Sequence, residues 1–162
     1  MLDWTGILKF VAHGRTVQRI ASDLGWRPGA RYTNLRDIRG LPFAGYGFLD
    51  IHWKKYNFSQ HIRAAESHRP LFTVARDVES IADLHSILGE AEQLQEYACH
   101  VIIVPKAIEF IGKIERLIPK EYVLGFSVPT KYGGTVISPA EFKRPVHLLG
   151  KRAVNTVLQE LF

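Results

Sequence analysis

Five short apolar runs recur along the chain, and each ends in or contains a polar residue that could take part in chemistry. These residues are Asp50, Asp77, Lys106, Ser127 and His147. Carboxylates act as nucleophiles or as general acids and bases, and a nearby lysine or histidine can hold an anion or move a proton. Helix-type patterns separate most of the runs, which is typical of βα units on a parallel sheet. Such folds place their sites at the carboxyl ends of the strands, so we expect the five residues to be neighbours.

Asp50 and His52 follow the first run, and strand alternation places both side chains on the same side. A carboxylate and an imidazole together can support general base catalysis or metal binding. The alternative is a surface aspartate and a packed histidine. Cys99 is the only cysteine of the chain, which excludes a cysteine-rich zinc site. We expect the chain to work without a metal ion or another cofactor.

The segment Gly125–Thr135 is the most distinctive stretch of the sequence. Gly133 and Gly134 allow backbone N–H groups to approach a ligand closely, and Thr130 and Lys131 lie beside them. Donors and a cation grouped in this way suit a phosphate or a carboxylate. The segment lacks the pattern of a Walker loop, and a plain turn is the alternative.

The positive charge of the chain is concentrated near its N-terminus. Residues 1–45 hold seven Lys and Arg against three Asp, which is +4 of the net charge of +5. Arginine suits phosphate because its planar guanidinium donates two hydrogen bonds at once. The sequence therefore indicates a nucleic-acid-binding segment, and a solvated basic face is the alternative. The arginines are Arg15, Arg19, Arg27, Arg31, Arg36 and Arg39.

The apolar patterns predict an α/β fold of parallel βα units. Strands are predicted over 46–51, 71–76, 101–104, 122–127 and 145–149, and helices over 58–68, 81–98, 107–117 and 154–161. The β-branched run 101–104 is typical of a strand buried on both faces. Before the first strand we predict a short helix over 4–12, a helix over 16–24 with Val17, Ile20, Ala21 and Leu24 on one face, and a loop over 30–45. The predicted organisation is a basic N-terminal segment, 1–45, and a βα-repeat domain, 46–162, within one compact domain.

The length and composition of the chain limit the classes of protein to which it can belong. The chain has 162 residues, 46% of them hydrophobic, which is enough for one core. No apolar run approaches the roughly 20 residues that span a bilayer. The first residues lack the basic and apolar regions of a secretory signal. We expect a cytoplasmic protein with no membrane partner.

The motifs at the strand ends resemble a known family. They are Gly47–Tyr56, Ala75–Asp77, Val104–Lys106, Gly125–Thr135 and Val146–Gly150. In this order they resemble a family of uncharacterised archaeal, bacterial and phage proteins. Those proteins look like distant relatives of the tRNA-guanine (queuine) transglycosylase barrel, which includes enzymes that insert deazaguanine into phage DNA.

The resemblance implies a barrel whose carboxylates act on a purine glycosidic bond. Asp50 and Asp77 are the only aspartates at predicted strand ends that are available to take those roles. Five predicted βα units are fewer than the eight of a complete barrel, so the resemblance implies a partial or shortened TIM-barrel-like sheet. Self-association would be one way to complete it. The sequence departs from the family after Gly150, where Lys151 begins a stretch without the expected glycine-rich turn.

The leading hypothesis is a nucleic-acid base-modification protein of transglycosylase type, with its activity retained or lost. Its partner would be DNA or tRNA, and Asp50 or Asp77 would act at the anomeric carbon. The expected substrate-binding residues are His52, Lys106, Ser127, Thr130, Lys131, Gly133, Gly134 and His147. Two alternatives are a non-catalytic nucleic-acid-binding protein and a metal-dependent nucleotide or phosphate hydrolase built on Asp50 and His52.

Overall fold

A computed structural model describes residues 8–127, 131, 133–144 and 146–149. The chain divides into two compact units. The first comprises Met1–Thr73 with Glu96–Cys99, and the second comprises Val74–Gln95 with His100–Phe162.

The first unit is a parallel sheet in chain order. Each neighbouring pair of its strands is parallel, and the register places Leu49 opposite both Ala30 and Thr73. Its strands are β1 (Phe10–Ala12), β2 (Arg27–Arg31), β3 (Phe48–Asp50) and the start of β4 (Phe72–Val74). Its helices are α1 (Arg15–Asp23) and α2 (Phe58–His68), with 3-10 helices at Leu35–Ile38 and Trp53–Lys55.

The second unit continues the same pattern of parallel strands. It begins with the last residue of β4, and the N–H of Ala75 donates to the carbonyl of Ile102 at 2.9 Å. Its further strands are β5 (His100–Ile103), β6 (Val123–Ser127) and β7 (Val146–Leu149). Its helices are α3 (Ile81–Gln95) and α4 (Ile114–Leu117), with 3-10 helices at Ile108–Phe110 and Pro139–Glu141.

The predicted fold class is confirmed. All five predicted strands are present, and so are the helices predicted over 16–24, 58–68 and 81–98, the last of which ends at Gln95. The described part of the chain has seven strands, fewer than a complete barrel, and every recorded strand pair is parallel. Among the described residues, no helix has the length and apolar character needed to cross a membrane.

The N-terminal segment is more regular than predicted. Strand β1 lies at the end of the predicted helix over 4–12, and strand β2 contains Pro28 and Gly29, a pair that is typical of turns. Gly29 explains how a Pro-Gly pair fits a buried strand, because a Cβ atom there would lie only 3.2 Å from the carbonyl oxygen of Val11.

The apolar residues of helix α1 predict which of its faces should pack on the sheet, but the opposite face does so. Val17, Ile20 and Leu24 are 40%, 59% and 73% exposed, whereas Gln18 is buried. The side-chain amide of Gln18 donates to the carbonyl of Gly29 at 3.0 Å. A buried hydrogen bond to a strand carbonyl therefore fixes this helix.

Residues 107–117 do not form the single continuous helix that the sequence predicts. They form the 3-10 helix Ile108–Phe110 and the short helix α4 instead. Gly112 lies between them with φ +69°, a backbone conformation that breaks a right-handed helix and that glycine adopts without strain. The predicted helix over 154–161 lies outside the described residues.

The predicted core is largely confirmed. Residues 101–104 are fully buried, and Leu84, Phe110 and Ile114 are also buried. Leu88 is half-buried. A strand buried on both faces has no free surface, so its side chains contribute through packing alone.

Replacing Ile103 by alanine should destabilise the protein by about 2–5 kcal/mol, because it removes buried methylene groups and leaves a cavity. Urea unfolding measures this change. The control is Ile108→Ala, whose side chain is 67% exposed and whose loss should be within about 0.5 kcal/mol. A loss below about 1 kcal/mol for Ile103→Ala would mean that β5 is peripheral.

Candidate active site

Asp77 and Lys106 form a nearly buried ion pair in the second unit. The ammonium nitrogen of Lys106 lies 2.6 Å from Oδ2 of Asp77, and the two side chains are only 13% and 18% exposed. Glu79 adds a second carboxylate, 3.6 Å from the same nitrogen, with a 68% exposed side chain. One lysine therefore contacts two carboxylates, one sheltered and one open to solvent.

An extra residue in the chain after β4 sets the direction of Asp77. The N–H of Ala75 donates to the carbonyl of Ile102, and the N–H of Val78 donates to that of Val104. Between these two hydrogen bonds the segment with Asp77 advances three residues, from 75 to 78, while β5 and its continuation advance two, from 102 to 104. This is the geometry of a β-bulge. Without the extra residue, alternation would place Asp77 on the face opposite Lys106.

Arg76, the neighbour of Asp77, contacts helix α3. Its Nε donates to Oε2 of Glu90 on helix α3 at 2.9 Å. At the start of α3, the N–H of Ile81 donates to the carboxylate of Glu109 at 3.1 Å.

The glycine-containing turn is fixed to the ends of β5 and β6. The N–H of Thr135 donates to the carbonyl of Ser127 at 2.8 Å, and the Thr135 hydroxyl accepts from the N–H of Ser127 at 3.0 Å. The N–H of Val136 donates to the carbonyl of Lys106 at 3.4 Å. Thr135 is buried, so this segment closes over the strand ends as part of the fold.

The turn leaves open space beside Gly133. Gly133 has φ +110°, and a Cβ atom there would meet no other atom within 4 Å. Gly134 follows it towards the anchored Thr135, and Lys131 is exposed. Thr130 lies outside the described residues.

Strand register places His147 on the same face as Lys106. Gly125 lies opposite His147, and continuing the β5–β6 register brings Val104 opposite Gly125. Lys106 is two residues beyond Val104 and therefore shares its face. Burial lowers the pKa of His147 to about 4, so its imidazole is neutral at physiological pH.

Burial raises the pKa of the Asp77 carboxyl above its ordinary value of 3.8. The hydrogen bond and the charge of Lys106 act in the opposite direction, and the charge of Glu79 adds to the rise. The net direction is upward because burial makes the largest contribution. A carboxyl with a raised pKa in a sheltered position is a candidate for acid–base or nucleophilic chemistry.

In the first unit, Asp50 ends strand β3 beside Arg31 of β2. The two residues are opposite each other in the register, and Oδ1 of Asp50 accepts from the N–H of Ile51 at 2.8 Å. Among the described residues, nothing hydrogen-bonds the buried Nδ1 of His52. Trp53 follows, 51% exposed, with the Lys54 ammonium 5.2 Å from its ring centre.

Sequence analysis missed the most buried histidine. His61 on α2 is fully buried, with Nδ1 2.9 Å from the Tyr56 hydroxyl and Nε2 2.7 Å from Oγ1 of Thr73. Thr73 donates its own proton to the carbonyl of Leu49, so we assign Nε2 as a donor and Nδ1 as an acceptor. Burial lowers the pKa of His61 to about 4. This network connects Tyr56 to strands β3 and β4.

The predicted site residues are thus distributed over both units. Asp77, Lys106, Ser127, Gly133, Gly134 and His147 belong to the second unit, and Asp50 and His52 belong to the first. The joint action of Asp50 and Asp77 stays a prediction. Within the described ranges, no group of three or more His, Cys, Asp or Glu could hold a metal ion.

The predicted nucleic-acid-binding arginines are mostly accessible. Arg27 is half-buried, with its guanidinium carbon 4.4 Å from the centre of the Tyr46 ring. The exposed members are Arg15, Arg19, Arg31, Arg36 and Arg39.

Residues 21–160 match the model of a protein family described as a family of unknown function, DUF6610. No curated protein and no solved structure matches the chain.

The pKa of Asp77 should respond to its two neighbours in opposite directions. Carbon-detected NMR of the Asp77 carboxyl should give a pKa above 3.8 in the wild type. Lys106→Met should raise that pKa further, since it removes a hydrogen bond and a positive charge. Glu79→Gln should lower it, since it removes a negative charge. An unchanged pKa in Lys106→Met would show that the pair does not form in solution.

Acid should destabilise the protein through its buried histidines. The pKa of His61 is lowered from 6.5 to about 4, so the stability that its neutral form contributes is present above pH 6.5 and is lost as the pH falls towards 4. The expected loss is about 3 kcal/mol for this one residue.

Urea unfolding between pH 7.5 and 4 checks this loss. His61→Gln should be less stable than the wild type at pH 7.5 and should lose less stability on acidification. His85→Gln removes an exposed histidine and is the control. An identical pH dependence in His61→Gln and the wild type would refute the assignment.

Proposed function

The chain belongs to DUF6610, a family of unknown function, and we propose that its second unit exchanges a purine-type base on a nucleic acid, with Asp77 as the reacting carboxylate. The observation that carries this proposal is the sheltered Asp77–Lys106 pair at the carboxyl ends of parallel strands. The resemblance of the strand-end motifs to transglycosylase-like proteins supports the same reaction class.

The first half of the exchange is a displacement at the anomeric carbon. A carboxylate oxygen of Asp77 forms a bond to C1′, and the bond from C1′ to the base nitrogen breaks with its electron pair going to the base. The departing base takes up one proton. The sugar is left joined to the protein through an ester.

The second half reverses these steps with a different base. The incoming deazaguanine-type base loses one proton from its ring nitrogen, which attacks C1′. The ester bond breaks, and its electron pair returns to Asp77 as a carboxylate. One proton is taken up and one is released, so the exchange needs no oxidant, reductant or water.

The neighbours of Asp77 have separate roles in this scheme. The ammonium of Lys106 favours the ionised carboxylate and offsets negative charge on the departing base. Glu79, with an exposed side chain 3.6 Å from that ammonium, can accept hydrogen bonds from the edge of a base. The space beside Gly133 has room for a phosphate oxygen.

A base-exchange assay tests the proposal. Wild-type protein is mixed with DNA or tRNA and a radiolabelled deazaguanine base, and incorporation into the polymer is measured. We expect Asp77→Asn to reduce incorporation by about 10³-fold or more, because amides are poor nucleophiles. Lys106→Met should reduce it by about 10²-fold.

Asp23→Asn is the matched control, because it removes an exposed carboxylate from the end of α1. Asp50→Asn is a separate arm that reports whether the first unit takes part. The absence of incorporation by the wild type, where a known transglycosylase works, would refute the proposal. Full activity of Asp77→Asn would also do so.

A non-catalytic nucleic-acid-binding protein is the second candidate, and the five exposed arginines within residues 15–39 favour it. Phosphate contacts make binding fall steeply with salt, by a slope of about 0.7–0.9 in log–log form for each phosphate. Arg15→Gln with Arg19→Gln should reduce this slope by about 1–2, whereas Asp50→Asn should leave it unchanged. A slope near zero in the wild type would contradict this candidate.

A further inference from the structure

The connection between β2 and β3 leaves a cavity in the first unit. Its regular structure is limited to the four-residue 3-10 helix Leu35–Ile38. A cavity of about 320 Å³ lies between the segment 35–43 and the end of α2 at His68. This volume is at the small end of the range for ligand-binding sites in proteins.

The cavity has an apolar lining. Ile38 and Phe43 are buried, and Leu35 and Leu41 also line the space. The ring of Phe43 meets that of His68 edge to face, with ring centres 6.0 Å apart. Such a surface suits a flat ring, because it offers little to hydrogen-bond with and much to pack against.

Positive charge surrounds this apolar lining. Arg36 and Arg39 line the cavity, and Nη2 of Arg15 lies 3.6 Å from where a Cβ atom of Gly40 would be. Arg36 is 81% exposed and reaches Asp37 only at 3.9 Å. None of the ion pairs within the described part of the chain involves Arg15 or Arg39.

Asp37, the carboxylate that Arg36 approaches, already accepts another hydrogen bond. Oδ2 of Asp37 accepts a hydrogen bond from the side-chain amide of Asn34 at 2.5 Å. Arg36 therefore shares its carboxylate with another donor, and Arg15 and Arg39 take part in none of the ion pairs recorded among the described residues. The site combines an apolar wall with unneutralised cations, which is complementary to an anion that carries a ring.

We propose that this cavity binds a small phosphorylated ring compound of the nucleoside monophosphate class, with the ring against Phe43 and Leu41 and the phosphate on Arg36 and Arg39. The ligand is a monomer and not a nucleic-acid strand, because the apolar wall is enclosed by one short segment and one helix end. This site is separate from Asp77 and does not depend on base exchange.

The test is an amide NMR titration of the full chain with adenosine 5′-monophosphate, adenosine and inorganic phosphate as probes. We expect the monophosphate to bind at least tenfold more tightly than either fragment. Its shifts should concentrate in residues 35–43 and at His68. Binding of the monophosphate no tighter than phosphate would overturn the proposal, because only diffuse positive charge would then be acting.

Variants separate this site from the rest of the molecule. The double change Arg36→Gln with Arg39→Gln should weaken the monophosphate by at least tenfold and leave adenosine unchanged. Both residues are exposed, so the fold should persist, which the amide spectrum reports. The matched control is Arg116→Gln, an exposed arginine of α4, and Asp77→Asn should also bind normally.

Two outcomes would overturn the proposal in favour of other readings. Equal losses in the double variant and in Arg116→Gln would show non-specific attraction. An eight-nucleotide single strand that binds far more tightly than the monophosphate, with shifts extending to Arg19 and Arg31, would indicate a site for a polymer backbone.

Discussion

The extra residue between Ala75 and Val78 is the constraint on which the candidate active site depends. Hydrogen bonds from both of these residues hold the chain to β5, so the additional residue has to be absorbed between them. As a result Arg76 contacts Glu90 of α3 while Asp77 contacts Lys106. A bulge of this kind re-aims one side chain at the cost of local pairing, and bulges are over-represented next to active sites.

The Asp77–Lys106 pair is not expected to stabilise the folded protein. Taking two charges out of water costs several kcal/mol per ion, and attraction repays this only with excellent geometry and further hydrogen bonds. The raised pKa of Asp77 shows that burial outweighs the help of Lys106. Since the folded form binds the proton more tightly, the ionised carboxylate reduces stability as the pH rises through that pKa. His61 behaves differently, because its neutral ring is buried with a partner on each nitrogen.

Much of the second unit could be predicted from the sequence, because its strands are continuous apolar runs and their polar ends are easily located. The positions of Asp77, Lys106 and Ser127 at or just after strand ends were predicted in this way. In the first unit, the bounds of α2 were also predicted correctly. The bulge could not be predicted, since apolar periodicity does not report an unpaired residue. Strand β2 was missed because a Pro-Gly pair indicates a turn until close packing against β1 is known.

His61 was missed because a lone histidine in an amphipathic helix carries no signal of its burial. The available hint was its spacing of three and four residues from the small residues Ala64 and Ala65, which lie on the same face of the helix.

The most direct test of the role of Asp77 is to look for its covalent bond to the sugar. Wild-type protein is mixed with a labelled oligonucleotide, quenched in acid and run on a denaturing gel, and the joined peptide is identified by mass spectrometry. We predict a protein–nucleic acid adduct on the peptide that contains Asp77, and its loss in Asp77→Asn. An adduct on the peptide that contains Asp50, or base exchange that proceeds with no adduct under any quench, would contradict the assignment of Asp77 as the nucleophile.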